Sequence, residues 1–169
     1  MRLVSEKIHT IKSYSSLFAV LCLTAGYMFL RYSYSSFYDV TSLFLDFLTG
    51  YMLIIGAVGA YSGKKFELAL KKYDPLAMRF WWYARAYPWT LLFFGVLLHI
   101  HTGILVVTPI VILVFSLQTY TITKLVRRKI PVPCASIGVV QKVPLSWVCI
   151  FQNILIIIVA LIGFILSIF

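Results

Sequence analysis

The chain has 169 residues, of which 62% are hydrophobic and 12% are charged, and its mean hydropathy is +0.96. Soluble domains are about half apolar and about a quarter charged. These values exclude a water-soluble globular domain, a disordered chain and a collagen-like fibre. They indicate a single-domain integral membrane protein.

The formal charge of +10 comes from 15 Lys and Arg residues against 5 Asp and Glu residues. The cations lie in the polar gaps between apolar runs, where membrane proteins carry the residues that set their orientation. We therefore expect the lipid bilayer, and no nucleic acid, as the partner of this charge.

Two apolar segments lie in the first part of the chain, at about residues 15–31 and 40–61. The first follows a basic stretch, as the apolar part of a secretory signal peptide does, but it ends without a small-residue cleavage site. We expect it to be retained as a first span. The second carries Gly56 and Gly59, small residues that allow another helix to pack closely.

The longest polar interval predicts a short amphipathic helix on the membrane surface, over about residues 64–74. Its apolar side chains follow the i, i+3, i+4, i+7 spacing of one helical face: Phe66, Ala69, Leu70 and Tyr73. The lysines lie largely off that face. Asp74 and Pro75 then have the order of an N-cap and a first helical residue, which predicts that a new helix begins there.

The apolar stretch from Trp89 to Thr123 has 35 residues, too many for one span of roughly 20. Two histidines and a glycine interrupt it at residues 99–103. We predict spans over about 86–100 and 104–123. A last span over about 145–168 brings the total to five, so the predicted fold is an all-α bundle.

The basic residues also predict an orientation. With five spans, one side of the membrane holds fourteen of the fifteen Lys and Arg residues, Arg31 being the exception. The positive-inside rule makes that side cytoplasmic. We expect a multi-pass protein of the bacterial inner membrane with a cytoplasmic N-terminus and an external C-terminus.

The three cysteines are too few and too scattered for a disulfide framework. Cys134 lies in a loop near four cationic side chains, which stabilise a thiolate and raise reactivity. The alternative is an ordinary loop cysteine. We expect Cys22 and Cys149 to be small packing residues inside the first and last spans.

Three other side chains in or beside the predicted spans are candidates for function. His99 and His101 form an H-x-H pair that can converge on a metal if the chain turns there; with no third ligand nearby, contact with water or lipid is the alternative. Asp46 lies inside a predicted span, which makes it a candidate functional carboxylate. A local ion pair with Arg31 is the other interpretation.

The remaining polar residues indicate packing rather than catalysis. We expect Gln118, Gln152 and Asn153 to form hydrogen bonds between helices. The sequence has no glycine-rich phosphate loop, no nucleophile elbow, no HExxH motif and no paired intramembrane carboxylates. We therefore expect no hydrolytic or phosphoryl-transfer chemistry and no cofactor.

Two stretches between about residues 45 and 155 carry family-like motifs. The first contains Tyr73-Asp74 and Tyr87-Pro88, and the second contains Cys134-Ala-Ser-Ile-Gly138 followed by Pro144-Leu-Ser146. The order and spacing resemble the MauE/DoxX-like family of redox-associated membrane proteins. The residues of the first stretch are similar to the family's Tyr-Asp pair and to the Tyr-Pro opening of its next span. Those of the second stretch are similar to its Cys-x-Cys-Leu-Gly loop and to the start of its last span.

The resemblance implies a helical bundle that works beside a thioredoxin-like protein or another membrane-complex subunit. Its role would be membrane-linked thiol redox or the maturation of an exported protein, as in methylamine utilisation. Cys134 matches the first loop cysteine and Ser136 replaces the second. Because a resolving thiol must release a mixed disulfide, Cys149 becomes the candidate for that role. Tyr73, Asp74, Tyr87 and Pro88 match scaffold positions.

Two further hypotheses stay open. The chain is alternatively a non-catalytic structural or partner-binding subunit that has lost the family dithiol, which Ser136 favours. A third hypothesis is a heavy-metal transport component that uses His99, His101 and Asp46. The catalytic constellation is incomplete in each case, so the sequence does not predict an enzyme.

Overall fold

The computed structural model describes residues 2–34, 38–101, 103–130 and 147–169, with side chains from residue 18 onward. Within these ranges every regular element is an α-helix, as the predicted all-α class requires. The helices of the described ranges are α1 (Arg2–Tyr34), α2 (Val40–Ser62), α3 (Lys64–Leu70), α4 (Pro75–Arg79), α5 (Trp81–His99), α6 (Ile104–Arg127) and α7 (Trp147–Leu166).

In the part of the chain that the structure describes, three helices are long and apolar enough to cross a membrane, namely α2, α6 and α7. This supports the membrane character that the composition predicts. Helices α1 and α5 have 33 and 19 residues, and both pack along α2.

The predicted break between the third and fourth apolar segments coincides with the ends of two helices. Helix α5 ends at His99 and α6 begins at Ile104. Gly103 has φ +76°, a left-handed conformation that glycine adopts without the steric cost of a Cβ. The turn therefore reverses the chain between two antiparallel neighbours.

The start of α5 differs from the prediction that the third segment begins near residue 86. Helix α5 begins at Trp81, so Pro88 lies inside the helix and does not open it. Proline lacks the N–H that would bond four residues back, which normally weakens a helix. Here Pro88 is buried, and its Cβ lies against Gly59 of α2. Trp81 and Trp82 are exposed in the first turn.

Helix α2 lies at the centre of the bundle, in contact with α1, α5 and α7, while α6 packs mainly against α7. A Cβ added to Gly56 would lie 2.8 Å from Cγ of Leu92 and 3.0 Å from the carbonyl oxygen of Pro88. The backbones of α2 and α5 are therefore in close approach. The small residues of α2 at positions 56 and 59 face this contact, as the sequence predicts.

Candidate functional site

Asp74 begins the candidate site, because its buried carboxylate joins two parts of the bundle. Its Oδ1 accepts hydrogen bonds from the backbone N–H groups of Leu76 and Ala77, at 2.8 and 3.0 Å. Pro75 occupies the first turn of α4, as the sequence predicts. Asp74 is only 1% exposed, so its second oxygen also needs a partner within the protein.

Gln118 of α6 provides that partner. Its Nε2 donates to Oδ2 of Asp74 at 2.7 Å and to the hydroxyl of Tyr87 at 3.0 Å. Both protons of the amide nitrogen are thereby used. Through this one side chain, the start of α4 and the middle of α5 are tied to α6. The prediction that Gln118 bonds across helices is confirmed.

Aromatic rings connect this network to the surface helix. The ring of Phe66 on α3 stacks on that of Tyr87 with centroids 6.1 Å apart, and Tyr83 meets Tyr87 edge-on at 5.6 Å. Phe66, Ala69, Leu70 and Tyr73 are all buried, so the apolar face of α3 docks onto the bundle. Lys64, Lys65 and Lys72 are exposed on its other side. Helix α3 is therefore fixed to the bundle through the site.

A small internal cavity of about 20 Å³ lies beside the network. This is room for about one water molecule and too little for an organic cofactor. Besides apolar residues, the wall contains side chains from four helices and from the turn before α4: Tyr51, Tyr73, Tyr87, Gln118, Cys149 and Asn153. Tyr73 and Tyr87, the tyrosines of the first family-like stretch, thus line the same cavity as Cys149.

The cysteines occupy different environments. Cys149 is buried near the start of α7 and is 5% exposed, in agreement with a packing position. Cys22 is exposed on α1, so the prediction that it packs inside the bundle is wrong. The contact face of α1 is formed by Val20 and Thr24, and Cys22 lies between them, turned away from α2. Cys134 and Ser136 lie outside the described residues.

The two amides of α7 face the interior. Gln152 donates from Nε2 to the hydroxyl of Tyr51 on α2 at 2.8 Å, which confirms its predicted role between helices. Asn153 is 8% exposed and lines the cavity, and its Nδ2 has no hydrogen-bond partner among the described residues. A water molecule in the cavity would satisfy such a donor.

A second polar cluster lies at the opposite end of the bundle. Nε of Arg31 on α1 lies 3.3 Å from Oδ1 of Asp46 on α2. Asp46 is 2% exposed, whereas about a third of the Arg31 side chain is exposed. The ion pair predicted for Asp46 is present. It fixes the end of α1 to the beginning of α2.

Each of the two histidines contacts a different side chain of α1. The hydroxyl of Tyr27 lies 2.6 Å from Nδ1 of His99, and Nη2 of Arg31 lies 3.4 Å from Nε2 of His101. His101 has a positive φ of 53° at the turn after α5. The described side chains nevertheless include no group of three His, Cys, Asp or Glu that could hold a metal ion. The cluster does not support the metal hypothesis.

Outside the apolar helices, Tyr38 and Glu67 have shifted pKa values. Burial, reinforced by the Asp46 carboxylate, raises the pKa of Tyr38 to about 12. This phenol therefore stays protonated at neutral pH. On α3, a hydrogen bond from Lys71 lowers the pKa of Glu67.

No family model matches the sequence, and no curated protein or solved structure is significantly similar to it. The resemblance to MauE/DoxX-like proteins thus depends on the motif residues themselves. Three of them, Tyr73, Asp74 and Tyr87, are buried and close to one another in the fold.

The sequence identifies Asp74, Tyr73, Tyr87 and Cys149 without showing that they share a site. Gln118 joins Asp74 to Tyr87, and its signal in the sequence is an amide within an otherwise apolar span. Tyr51 has no comparable signal, because tyrosine is common throughout this chain. Its position on the cavity follows only from the packing of α2 against α7.

Proposed function

We propose that this protein is a five-span accessory protein of the bacterial inner membrane that supports thiol redox or the maturation of an exported protein. It would do so beside a thioredoxin-like partner. The observation that carries the proposal is the position of Cys149, which lines the same small cavity as Tyr73 and Tyr87. Residues of the first family-like stretch and a buried cysteine thus line one cavity.

Five spans are supported by the lengths and packing of α1 and α5. Helix α5 has 19 residues, or roughly 28 Å at 1.5 Å per residue, close to the thickness of a bilayer core. Both helices pack along α2, which is itself apolar enough to span. Because α1 and α5 pack along α2, we propose that they cross the membrane with it.

The orientation follows from the basic residues. Lys64, Lys65 and Lys72 on the surface helix lie at the end of the bundle where α6 ends with Arg127. Arg31 is at the other end, paired with Asp46. The positive-inside rule places the basic end in the cytoplasm.

The proposed redox step is thiol–disulfide exchange. The thiolate of Cys134 attacks a disulfide of the partner, forming a mixed disulfide and releasing one partner thiol. The thiolate of Cys149 then attacks Cys134, which releases the second partner thiol. Two thiols of this chain are oxidised to one disulfide while one partner disulfide is reduced to two thiols. Two electrons and two protons are transferred, and the reverse exchange returns them.

The chain between the two cysteines is long enough for this step. Fifteen residues separate Cys134 from Cys149 in the sequence. An extended segment of that length reaches roughly 50 Å, far more than the few ångströms between cysteines in a disulfide. Cys22 is the matched control, because it is exposed on α1 and apart from the cavity.

The test is to trap the mixed disulfide in native membranes with acid-quenched alkylation and non-reducing gels. Cys149→Ser removes the resolving thiol, so a higher-mass adduct should accumulate that disappears with reductant. Cys134→Ser should abolish the adduct, and Cys22→Ser should leave it unchanged. An adduct that requires Cys22 and not Cys134 contradicts the proposal.

A second candidate function is a non-catalytic structural or partner-binding subunit. The observation that favours it is the enclosed site, in which Asp74 is hydrogen-bonded from the backbone of α4 and from Gln118, with room for only about one water. Such a network fits a role in holding helices together. Fully reduced, monomeric protein in all the variants of the trapping experiment would favour this function.

A further inference from the structure

The last turns of α6, at the end of the bundle that we propose is cytoplasmic, present a basic face. The proposed redox function does not use this face. Tyr120, Lys124 and Arg127 follow one another at intervals of four and three residues, which places them on one side of the helix, and Arg128 follows directly as its C-cap. With Thr123 they line an open groove of about 540 Å³. Tyr120 is 70% exposed, and the three cations are exposed as well.

The four acidic side chains that the structure describes are engaged elsewhere. Asp39 caps α2, Asp46 pairs with Arg31, Glu67 accepts a hydrogen bond from Lys71, and Asp74 is held by Gln118. The fifth acidic residue of the sequence is Glu6, whose side chain is outside the described set. Residues 131–146, which follow α6, contain neither Asp nor Glu. None of the described carboxylates is thus assigned to the basic face, which leaves it open to an anion from outside the chain.

The same side of α6 continues into an apolar surface. Leu113 and Leu117 precede Tyr120 by seven and three residues and are 60% and 42% exposed. Since α6 is apolar enough to cross a membrane, these leucines face lipid tails while the cations lie at the level of the headgroups. From Leu113 to Arg128 the face changes from apolar through phenolic to cationic, which matches the polarity profile of one phospholipid leaflet.

We propose that this face of α6 binds the headgroup of an anionic phospholipid. Arg127 and Arg128 donate hydrogen bonds from their guanidinium groups to phosphate oxygens, and Lys124 adds a point charge. The acyl chains lie along Leu117 and Leu113. A bound anion would also oppose repulsion among three adjacent cations. Basic pockets at the cytoplasmic ends of membrane helices bind anionic lipids in this way.

Cations at the end of a helix also interact with its dipole, which gives them a role without any ligand. The two explanations differ in what they predict for lipid. A dipole contribution stabilises α6 equally in neutral and anionic lipid, whereas a headgroup site distinguishes the two. Lipid selectivity is therefore the quantity to measure.

The experiment uses the full chain, delipidated in a neutral detergent, and titrates it with phosphatidylglycerol, phosphatidylcholine or inorganic phosphate while native mass spectrometry counts bound molecules. The wild type should bind phosphatidylglycerol selectively. The K124Q/R127Q/R128Q variant should lose about 100-fold in affinity, from three cations near the headgroups. K64Q/K65Q/K72Q removes the same charge from residues 64–72 and should weaken phosphatidylglycerol binding much less, because these lysines supply only general attraction to headgroups.

Three outcomes overturn the proposal. These are an equal loss in both triple variants, equal binding of phosphatidylcholine, and binding of inorganic phosphate as tight as that of phosphatidylglycerol. If the α6 triple variant does not fold, R127Q alone should weaken phosphatidylglycerol binding about fivefold. An unchanged affinity in R127Q overturns the proposal as well.

Discussion

The two ends of the bundle each bury a carboxylate, and they stabilise it in different ways. Asp74, at the basic end, accepts two backbone hydrogen bonds and one from Gln118, all from neutral donors. Asp46, at the other end, is paired through one oxygen with a single cation, Arg31. The charge of Asp74 is compensated by three neutral hydrogen-bond donors that the fold holds in place. The charge of Asp46 is compensated by one side chain, Arg31, which is about a third exposed.

This difference indicates what each end does. Backbone N–H groups at a helix start compensate a charge without any flexible partner, so Asp74 fixes the positions of α4, α5 and α6 beside the cavity. The Arg31–Asp46 pair fixes only the contact between α1 and α2. We therefore expect substitutions at the basic end to have larger effects.

The largest effect is expected for Asp74→Ala. The change removes the N-cap of α4, at a cost of about 0.5–2 kcal/mol, and leaves the buried amide of Gln118 without an acceptor, at about 1–3 kcal/mol. The free energy of unfolding should fall by about 2–4 kcal/mol. Thermal unfolding of the purified protein in detergent, followed by circular dichroism, measures it.

Asp39→Ala is the matched control for this substitution. Asp39 is exposed and caps α2 by accepting a hydrogen bond from the N–H of Val40 at 2.7 Å. Its loss should cost only about 0.5–1 kcal/mol. Equal destabilisation by the two substitutions would remove the distinction between the buried and the exposed cap.

The next prediction concerns the close contact between α2 and α5. Gly56→Ala places a Cβ 3.0 Å from the backbone nitrogen of Leu92 and from the carbonyl oxygen of Pro88, atoms that cannot move without shifting α5. We expect a loss of about 2 kcal/mol in the free energy of unfolding. Gly26→Ala is the control, because nothing lies within contact distance there and alanine favours a helix. Wild-type stability of Gly56→Ala would contradict the close approach of α2 and α5.

A smaller effect is expected at the ion pair. Arg31→Gln leaves the buried Asp46 carboxylate without its cation, which should cost about 1–2 kcal/mol because Arg31 is already partly solvated. Adding Asp46→Asn should restore part of that loss. The double-mutant cycle measures the coupling, for which we expect about 1 kcal/mol. Strictly additive effects would show that the two side chains act independently.

The smallest effect is the pH dependence at Glu67. Because Lys71 lowers the pKa of Glu67 in the folded protein, this pair stabilises the fold above the ordinary pKa of glutamate, and the contribution is lost as pH falls through the lowered value. Wild type should therefore exceed Glu67→Gln in thermal stability at pH 7, and the difference should disappear as the pH falls through the lowered pKa of Glu67. A difference that grows on acidification would reverse this sign.

Local signals explain most of what the sequence predicts correctly. Asp74-Pro75 begins a helix because both residues have positional preferences that act within one turn. The interruption at residues 99–103 ends one helix and begins the next for the same reason, since Gly103 adopts a positive φ. The Arg31–Asp46 pair joins residues fifteen apart that flank a single loop.

The errors and omissions concern contacts between distant residues. The bond from Gln118 to Asp74 spans 44 positions, and that from Gln152 to Tyr51 spans 101. Side-chain spacing along one helix cannot indicate which amide reaches which acceptor. The exposure of Cys22 follows from which stripe of α1 faces α2, and the inclusion of Pro88 within α5 follows from its packing on α2. Both depend on tertiary contacts.

The central claim is that Cys149, at the cavity, forms a redox pair with Cys134. Its most direct test is peptide mapping by mass spectrometry after acid-quenched alkylation of native membranes, before and after addition of oxidised glutathione. We predict a reductant-sensitive peptide that links Cys134 to Cys149, with Cys22 alkylated as a thiol. Full alkylation of Cys134 and Cys149 under both conditions would contradict the claim.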